Sequence, residues 1–341
     1  MKNKAVALAV LIISLSANSQ NFEDIEYLLL ASQEDQAIVF KEYLNPLVSS
    51  INYGMSSGWS HTAKTHKKLG FDITLSLNIS LIPSSSENYS TSEFTSITSS
   101  SDFLPTVLGG NTDETISVSL FGQGAIPELT TSFTAPSGIK EDLPLSMIAT
   151  PSLQLGLGLP YKTDLIIRYI PTRSSKNTSI GLKGVGIKHN ILQHFGPVDK
   201  IRLIDLSLLV AYSNYSIDYN IQKTSDLAGI GQVATMNLDN YVVKLLASVD
   251  LKLLTFYAAA GYSKGLSDLK ILGSYDLLYT VADTQEVVVV TVIDPLKVGW
   301  NNKSLSANAG LSFNIPGIKF FADYTIQKYN SISFGVSLSI R

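Results

Sequence analysis

The chain of 341 residues contains no cysteine, so no disulfide framework supports its fold and no lipid-anchoring cysteine follows its leader. Charge is sparse at 16 % of residues, and the net charge of −3 comes with no basic stripe, which excludes a nucleic-acid partner. Beyond the first residues there is no run of 18 apolar residues, which excludes helical membrane spans. Histidine is limited to His61, His66, His189 and His194, each pair five residues apart. That spacing shares no helix face and matches no HExxH-type metal site. There is no G-x-S-x-G nucleophile elbow, and Gly181, Gly184 and Gly186 precede no phosphate-binding helix. No cofactor, nucleotide site or metal is implied, internal repeats are lacking, and an enzyme is not expected.

One number conflicts with these absences: the mean hydropathy of +0.19 is high for a soluble protein. A β-barrel removes the conflict, because it spreads its apolar surface over alternate positions. The last residues show that pattern: Ile332, Phe334, Val336, Leu338 and Ile340 alternate with Ser333, Gly335, Ser337, Ser339 and Arg341. Successive strand side chains point to opposite faces, so one face is greasy and the other small or polar. About ten such residues cross a bilayer as a tilted strand. Phe71–Leu81 repeats the pattern, with Phe71, Ile73, Leu75, Leu77, Ile79 and Leu81 toward lipid and Asp72, Thr74, Ser76, Asn78 and Ser80 toward the lumen. Further strands are predicted at 116–124, 152–159, 164–170, 178–187, 203–215, 241–252, 255–263, 269–281, 286–294, 304–314 and 318–326. Bacterial barrels favour even counts, so the expectation is an all-β transmembrane antiparallel barrel of 12–14 strands, 14 preferred. Sixteen tyrosines suit the aromatic girdles of such a barrel.

At the other end, Lys2 and Lys4 precede the apolar run Ala5–Leu15 and the small-residue site Ala17-Asn18-Ser19. This reads as a cleaved secretory signal over residues 1–19, placing the protein in the bacterial outer membrane. Two segments do not read as strands. Residues 22–44 place acids early and apolar residues at spacings of three and four, which predicts one or two short amphipathic helices ending at Leu44-Asn45-Pro46. Residues 84–115, rich in Ser and Thr with Gly109-Gly110, read as a long loop, extracellular if the N-terminus lies in the periplasm and strand 71–82 runs outward. The expected division is a signal at 1–19, a helical plug at 20–56 and a barrel at 57–341. The C-terminal strand 331–341 is expected to meet the barrel-assembly machinery.

Several segments resemble an uncharacterised family of outer-membrane barrel proteins from the Bacteroidetes. They are Tyr53-Gly54, Gly58-Trp59, Thr62-Ala63-Lys64, Gly70-Phe71-Asp72, Leu143-Pro144-Leu145, Gly156-Leu157-Gly158-Leu159-Pro160, Arg168-Tyr169-Ile170-Pro171 and Gly184-Val185-Gly186-Ile187-Lys188-His189. That family is distantly similar to the FadL-type long-chain fatty-acid channels. The resemblance implies 14 strands, an N-terminal hatch in the lumen and passage of a hydrophobic small molecule. The hatch of those channels carries Asn-Pro-Ala, where this chain has Asn45-Pro46-Leu47.

Several strands are apolar on both faces, which suits a packed plug or a hydrophobic cargo. Examples are Leu206–Ala211, Thr255–Ala260 and Ile166 and Ile170 beside Arg168. Either residues 22–44 pack against these positions, or the lumen passes greasy molecules. Arg168, with Ile166 and Ile170, is a candidate for meeting an amphiphile's carboxylate, the alternative being an ion pair with Asp205. Asn45, Pro46 and Trp59 are candidate plug or gate residues. Trp59 reads otherwise as an anchor at the periplasmic interface, and Trp300 as the mark of a strand end. Three functions follow: a plugged channel for a hydrophobic or amphiphilic molecule, a non-transporting scaffold or secretion partner, and a barrel-embedded lipid enzyme using His189 or His194. Outer-membrane lipid is the expected neighbour in each.

Overall fold

The computed structural model describes residues 24–120, 127–143, 145–175, 177–196, 203–221 and 228–340. The expected signal at 1–19 lies outside them. After a 3-10 turn at Asp24–Leu30 comes one helix, α1 (Gln33–Ser56). The strands are β1 (Phe71–Leu81), β2 (Asn88–Ser90), β3 (Ile97–Ser99), β4 (Phe103–Pro105), β5 (Thr115–Leu120), β6 (Leu129–Thr134), β7 (Met147–Leu159), β8 (Thr163–Ser175) and β9 (Thr178–Asn190). They continue with β10 (Ile204–Asn220), β11 (Ala228–Asp250), β12 (Leu254–Val281), β13 (Val287–Ile293), β14 (Leu296–Ile315), β15 (Ile318–Ile326) and β16 (Ser331–Ile340).

The main sheet holds fourteen strands, the number preferred from sequence for the barrel, but four of them lie outside the closed ring. Ten of them close a ring in the order β1, β7, β8, β9, β10, β11, β12, β14, β15, β16 and back to β1, every pair antiparallel. A path of paired residues leaves β14 at Asn314, passes Lys319, Ser337, Thr74, Gln154, Arg168, Gly184, Ser213, Asn240 and Gly265, and returns at Asn302, displaced by twelve residues. Such a stagger tilts the strands by about 40°. The other four strands extend the sheet past one rim: β13 lies on β12, and β6, β5 and β3 continue from Thr280 and Val281.

Burial is inside-out relative to a soluble protein. Ser76, Asn78, Ser80, Ser333 and Ser337 point inward and are buried, whereas Ile73, Leu75, Phe334 and Leu338 point outward and are exposed. Tyrosines stand along the outward belt on five strands: Tyr169 of β8, Tyr212 of β10, Tyr241 of β11, Tyr262 of β12 and Tyr324 of β15. That is the apolar band and aromatic girdle of a membrane-spanning barrel.

Short turns at 160–162, 251–253 and 316–317 share one end with the C-terminal strand's last residue, and the 82–146 connection lies at the other. Short turns mark the periplasmic end and long connections the outside. β1 therefore runs outward, although the described chain before it does not start from the periplasmic end, the other half of the condition set from sequence. The segment before it begins at the outer end, where Tyr279 Oη of β12 donates to Leu30 O at 2.9 Å, and descends through the lumen to Gly70.

Four expectations need correction. The helix does not stop before Pro46 but passes through it to Ser56, because the barrel buries most of its sides and holds it across the missing hydrogen bond. Residues 84–115 are not all loop, since β2 and β4 pair there and β3 joins the main sheet. The strands expected at 255–263 and 269–281 are one, β12, whose residues 264–268 continue the ladder with β14. β11 starts thirteen residues before its predicted 241, and β6 was not predicted at all. The expected strand 116–124 corresponds to β5, with its end outside the described residues.

Candidate functional site: the filled lumen and the seam between β7 and β8

The outer half of the lumen is apolar. Leu28, Leu29, Val39, Phe40, Val48 and Met55 of the luminal segment pack with Leu182, Leu238, Leu269, Ile271 and Tyr275 from the wall in one buried cluster. The cap over this end is fastened by Asp35. Its carboxylate, fully buried, accepts from the backbone N–H groups of Thr95 (2.9 Å) and Ser96 (2.6 Å) and from Ser96 Oγ (2.7 Å). Ser32, the helix N-cap, accepts from Asp35 N at 3.2 Å.

The carboxyl end of α1 is held by Arg168 of β8. Its Nη1 donates to Met55 O at 2.9 Å, its Nη2 to Ser57 O at 3.1 Å, and its Nε and Nη2 to Gln154 Oε1 at 3.1 and 3.0 Å. Its guanidinium lies 3.9 Å from the centre of the Trp59 ring. The carbonyls ending a helix carry partial negative charge, so the helix itself answers a cation 1 % exposed. The ion pair with Asp205 does not form: Asp205 accepts from Asn190 Nδ2 at 2.7 Å. Arg168 is spent on the luminal segment, and Ile166 packs beneath it against Trp59, Ala63, Leu209 and Ala211. Ile170, two residues further out, packs at the margin of the outer apolar cluster.

Trp59 is not an interface anchor. It is buried in the lumen, with Nε1 donating to Met55 O at 3.0 Å and its ring over Gly186, where a Cβ would come within 3.2 Å. Gly58 before it has φ +67°, the left-handed turn that ends the helical path. Trp300 likewise marks no strand end: it faces inward from β14 and donates to Lys41 O at 3.1 Å, one turn before Pro46. The inward apolar positions Leu209 and Ala211 of β10 and Ala259 of β12 are thus filled by Trp59 and Ala63, while residues 28–55 of the luminal segment fill those further out, such as Leu269 and Ile271. Asn45, with Lys41, Ser267, Trp300 and Asn302, borders a cavity of about 590 Å³ between helix and wall, and Pro46 is buried beside it.

Below Trp59 a buried ionic group ties the descending chain to the wall. Lys188 Nζ donates to Lys64 O at 2.8 Å and lies 3.2 Å from Asp164 Oδ2. Asp164 accepts from His66 N at 2.9 Å and faces His66 Nδ1 at 3.1 Å. His61 stacks on Phe321 with centroids 4.7 Å apart, and burial, reinforced by Lys319, Lys188 and His66, holds its imidazole well below the ordinary value. His189 and His194 lie at the periplasmic rim with Nε2 atoms 3.0 Å apart, and the hydroxyl reaching His189 Nδ1 is that of Thr163, not a serine.

The wall itself is incomplete. β7 and β8 pair only from Leu159↔Thr163 to Gln154↔Arg168. Above that pair, 147–153 bonds to β1 alone, and the outer part of β8 bonds to β9 alone. Continuing the register would set Pro151 against Pro171. Neither residue has an N–H to give the ladder, and Pro171 lies where the β8–β9 register shifts as well. The outward residues of β7 along this seam are Met147, Ala149, Pro151 and Leu153, all apolar. The sequence signal for this seam is a pair of prolines, Pro151 and Pro171, in two strands that become neighbours.

A family model described as a family of unknown function (DUF6588) matches residues 1–340, and the chain belongs to that family. No protein of curated function matches the chain. Among solved structures, the translocator domain of the autotransporter NalP from Neisseria meningitidis is similar at 11 % identity, with 90 % of this chain and 98 % of that one covered and a TM-score of 0.29. The Pseudomonas putida toluene transporter TodX is similar at 10 % identity, covering 86 % and 93 %, with a TM-score of 0.26.

Proposed function

We propose that this barrel is an outer-membrane channel for a hydrophobic or amphiphilic small molecule, exported by the signal at residues 1–19 and plugged by its own luminal segment. The seam between β7 and β8 carries the reading. A porin for polar solutes gains nothing from an unpaired wall, because each unsatisfied backbone group in lipid is costly. An apolar molecule can use such a gap, since its destination is the bilayer itself. The seam begins at Gln154 and Arg168, so the side chains that end the wall's pairing also hold the helix end. Ile166 and Ile170 flank Arg168 on the inward face. A fatty-acid-like cargo fits this surface, with its carboxylate exchanging for a helix carbonyl at Arg168. The regular strand β16 is the segment offered to barrel assembly.

The test is uptake of a fluorescent fatty acid into proteoliposomes, with mass spectrometry of lipid retained by the detergent-purified protein. Uptake above empty vesicles together with a retained amphiphile supports the channel. Absence of both overturns it. The second reading, a surface scaffold, is favoured by β3, β5, β6 and β13, which build a sheet beyond the rim that no passage needs. Crosslinking on intact cells that recovers a stoichiometric protein partner, with no ligand retained, would select it.

A further inference from the structure

The outward face of β12, β14 and the β15–β16 turn carries five lysines that the passage through the seam does not use. Along β12 the outward residues run Leu254, Phe256, Ala258, Ala260, Tyr262 and then Lys264. Along β14 they run Phe313, Leu311, Ala309, Ala307, Leu305 and then Lys303. The register sets Lys264 directly against Lys303 and, six residues further out, Lys270 against Lys297. Lys328 is exposed in the following turn, and its backbone N–H donates to Ser304 Oγ at 3.1 Å, beside Lys303.

Like charges placed opposite one another across two strands repel. Here one strand pair carries that arrangement twice. Among the described residues, Lys264, Lys297, Lys303 and Lys328 have no carboxylate within 4.0 Å, and only Lys270 has one, Asp268 at 3.8 Å. Asp239, outward on β11, is already engaged by Tyr212 Oη at 2.6 Å and Asn214 Nδ2 at 3.0 Å. The patch is therefore locally cationic in a chain whose net charge is −3. Its depth is as informative as its charge. Lys264 pairs with Tyr241, and Tyr262 and Leu305 lie just below, so the ammonium groups begin where the apolar belt ends on the outer side.

We infer that this face binds a phosphorylated lipid head group of the outer leaflet. Lys264, Lys303 and Lys328 meet the phosphate, and Tyr241, Tyr262 and Leu305 lie along the acyl chains. Cationic side chains at a membrane border recruit anionic lipid by this pairing of charge above and apolar contact below. A free anion would use the lysines but has no need of the exposed Leu305 beneath them. Lys270 and Lys297 stand beyond the head-group layer, where they meet further anionic groups of the same lipid.

The experiment is native mass spectrometry of the detergent-solubilised protein with added lipid A, its phosphate-free counterpart, and inorganic phosphate as competitor. The wild type is expected to retain lipid A. The triple variant Lys264→Gln/Lys303→Gln/Lys328→Gln is expected to bind it at least about tenfold more weakly. Lys183→Gln, on β9 three strands away, is expected to bind as the wild type does. Each variant is first checked for a boiled-versus-unboiled gel shift. Should the triple variant not assemble, the exposed single substitution Lys303→Gln must weaken binding in the same direction. Equal binding by wild type and variant, or equal binding of the phosphate-free lipid, overturns the inference. Displacement of lipid A by millimolar inorganic phosphate also overturns it, by showing an anion site in place of a lipid site.

Discussion

Among the described residues no carboxylate lies within 4.0 Å of Arg168, and the end of a helix takes that place. From sequence, the residue was legible as a lone cation among isoleucines on a strand. Its partners were not, because they are backbone carbonyls of Met55 and Ser57, more than a hundred positions away, and carbonyls leave no mark in a sequence. The same holds for Trp59 and Trp300, whose indoles also donate to helix carbonyls. Replacing Arg168 by Met should remove charge-assisted bonds of about 1.5–3 kcal/mol each from the helix end. The predicted readout is a larger single-channel conductance in planar bilayers with the barrel's gel shift intact; conductance equal to that of the wild type would separate Arg168 from the plug. His61 makes a second prediction. Its folded value is depressed, so the unfolded chain takes up a proton that the folded one refuses once the pH falls below about 6.5. Stability should therefore decline on acidification through that range, and His61→Gln should lose that part of the decline in thermal melts at pH 8 and pH 5.

Elements were read more easily than contacts. β1, β15 and β16 fall at or within a residue of their predicted bounds, because a strand between lipid and a polar plug must alternate at every position. The readings failed where that constraint lapses. Residues 228–240 of β11 extend past the membrane, where no lipid imposes an apolar face, and on β12 the gap between its two predicted parts is 264–268, where Lys264 ends the outward apolar run. The helix outlasted its predicted stop because Pro46 costs roughly 3 kcal/mol in a helix interior, a sum the surrounding burial exceeds. The seam is an element-scale feature of opposite origin: two strands long enough to pair are kept apart by Pro151 and Pro171. Replacing both by Val restores the missing N–H groups, and the ladder should extend past Gln154. Hydrogen exchange at residues 147–153 and 169–175 should then slow, while fatty-acid uptake falls; unchanged exchange would mean that something other than the prolines holds the strands apart.

For the whole molecule, the direction of the luminal segment decides how it can move. It enters at the outer end, is clasped there by Asp35, and leaves past His66 at the periplasmic end, so it is tied at both rims. The chain's lack of cysteine makes this easy to check. A cysteine replacing exposed Glu34 should react with a membrane-impermeant maleimide on intact cells, and one replacing exposed Lys67 only after the outer membrane is permeabilised; the reverse pattern would invert the barrel. The most direct measurement of the account is a disulfide across the seam. Leu153→Cys with Tyr169→Cys places the two thiols at the first position where pairing stops. Oxidation is predicted to abolish fatty-acid uptake and reduction to restore it, with each single variant unaffected. Full uptake through the oxidised barrel would contradict the claim that its cargo leaves through the wall.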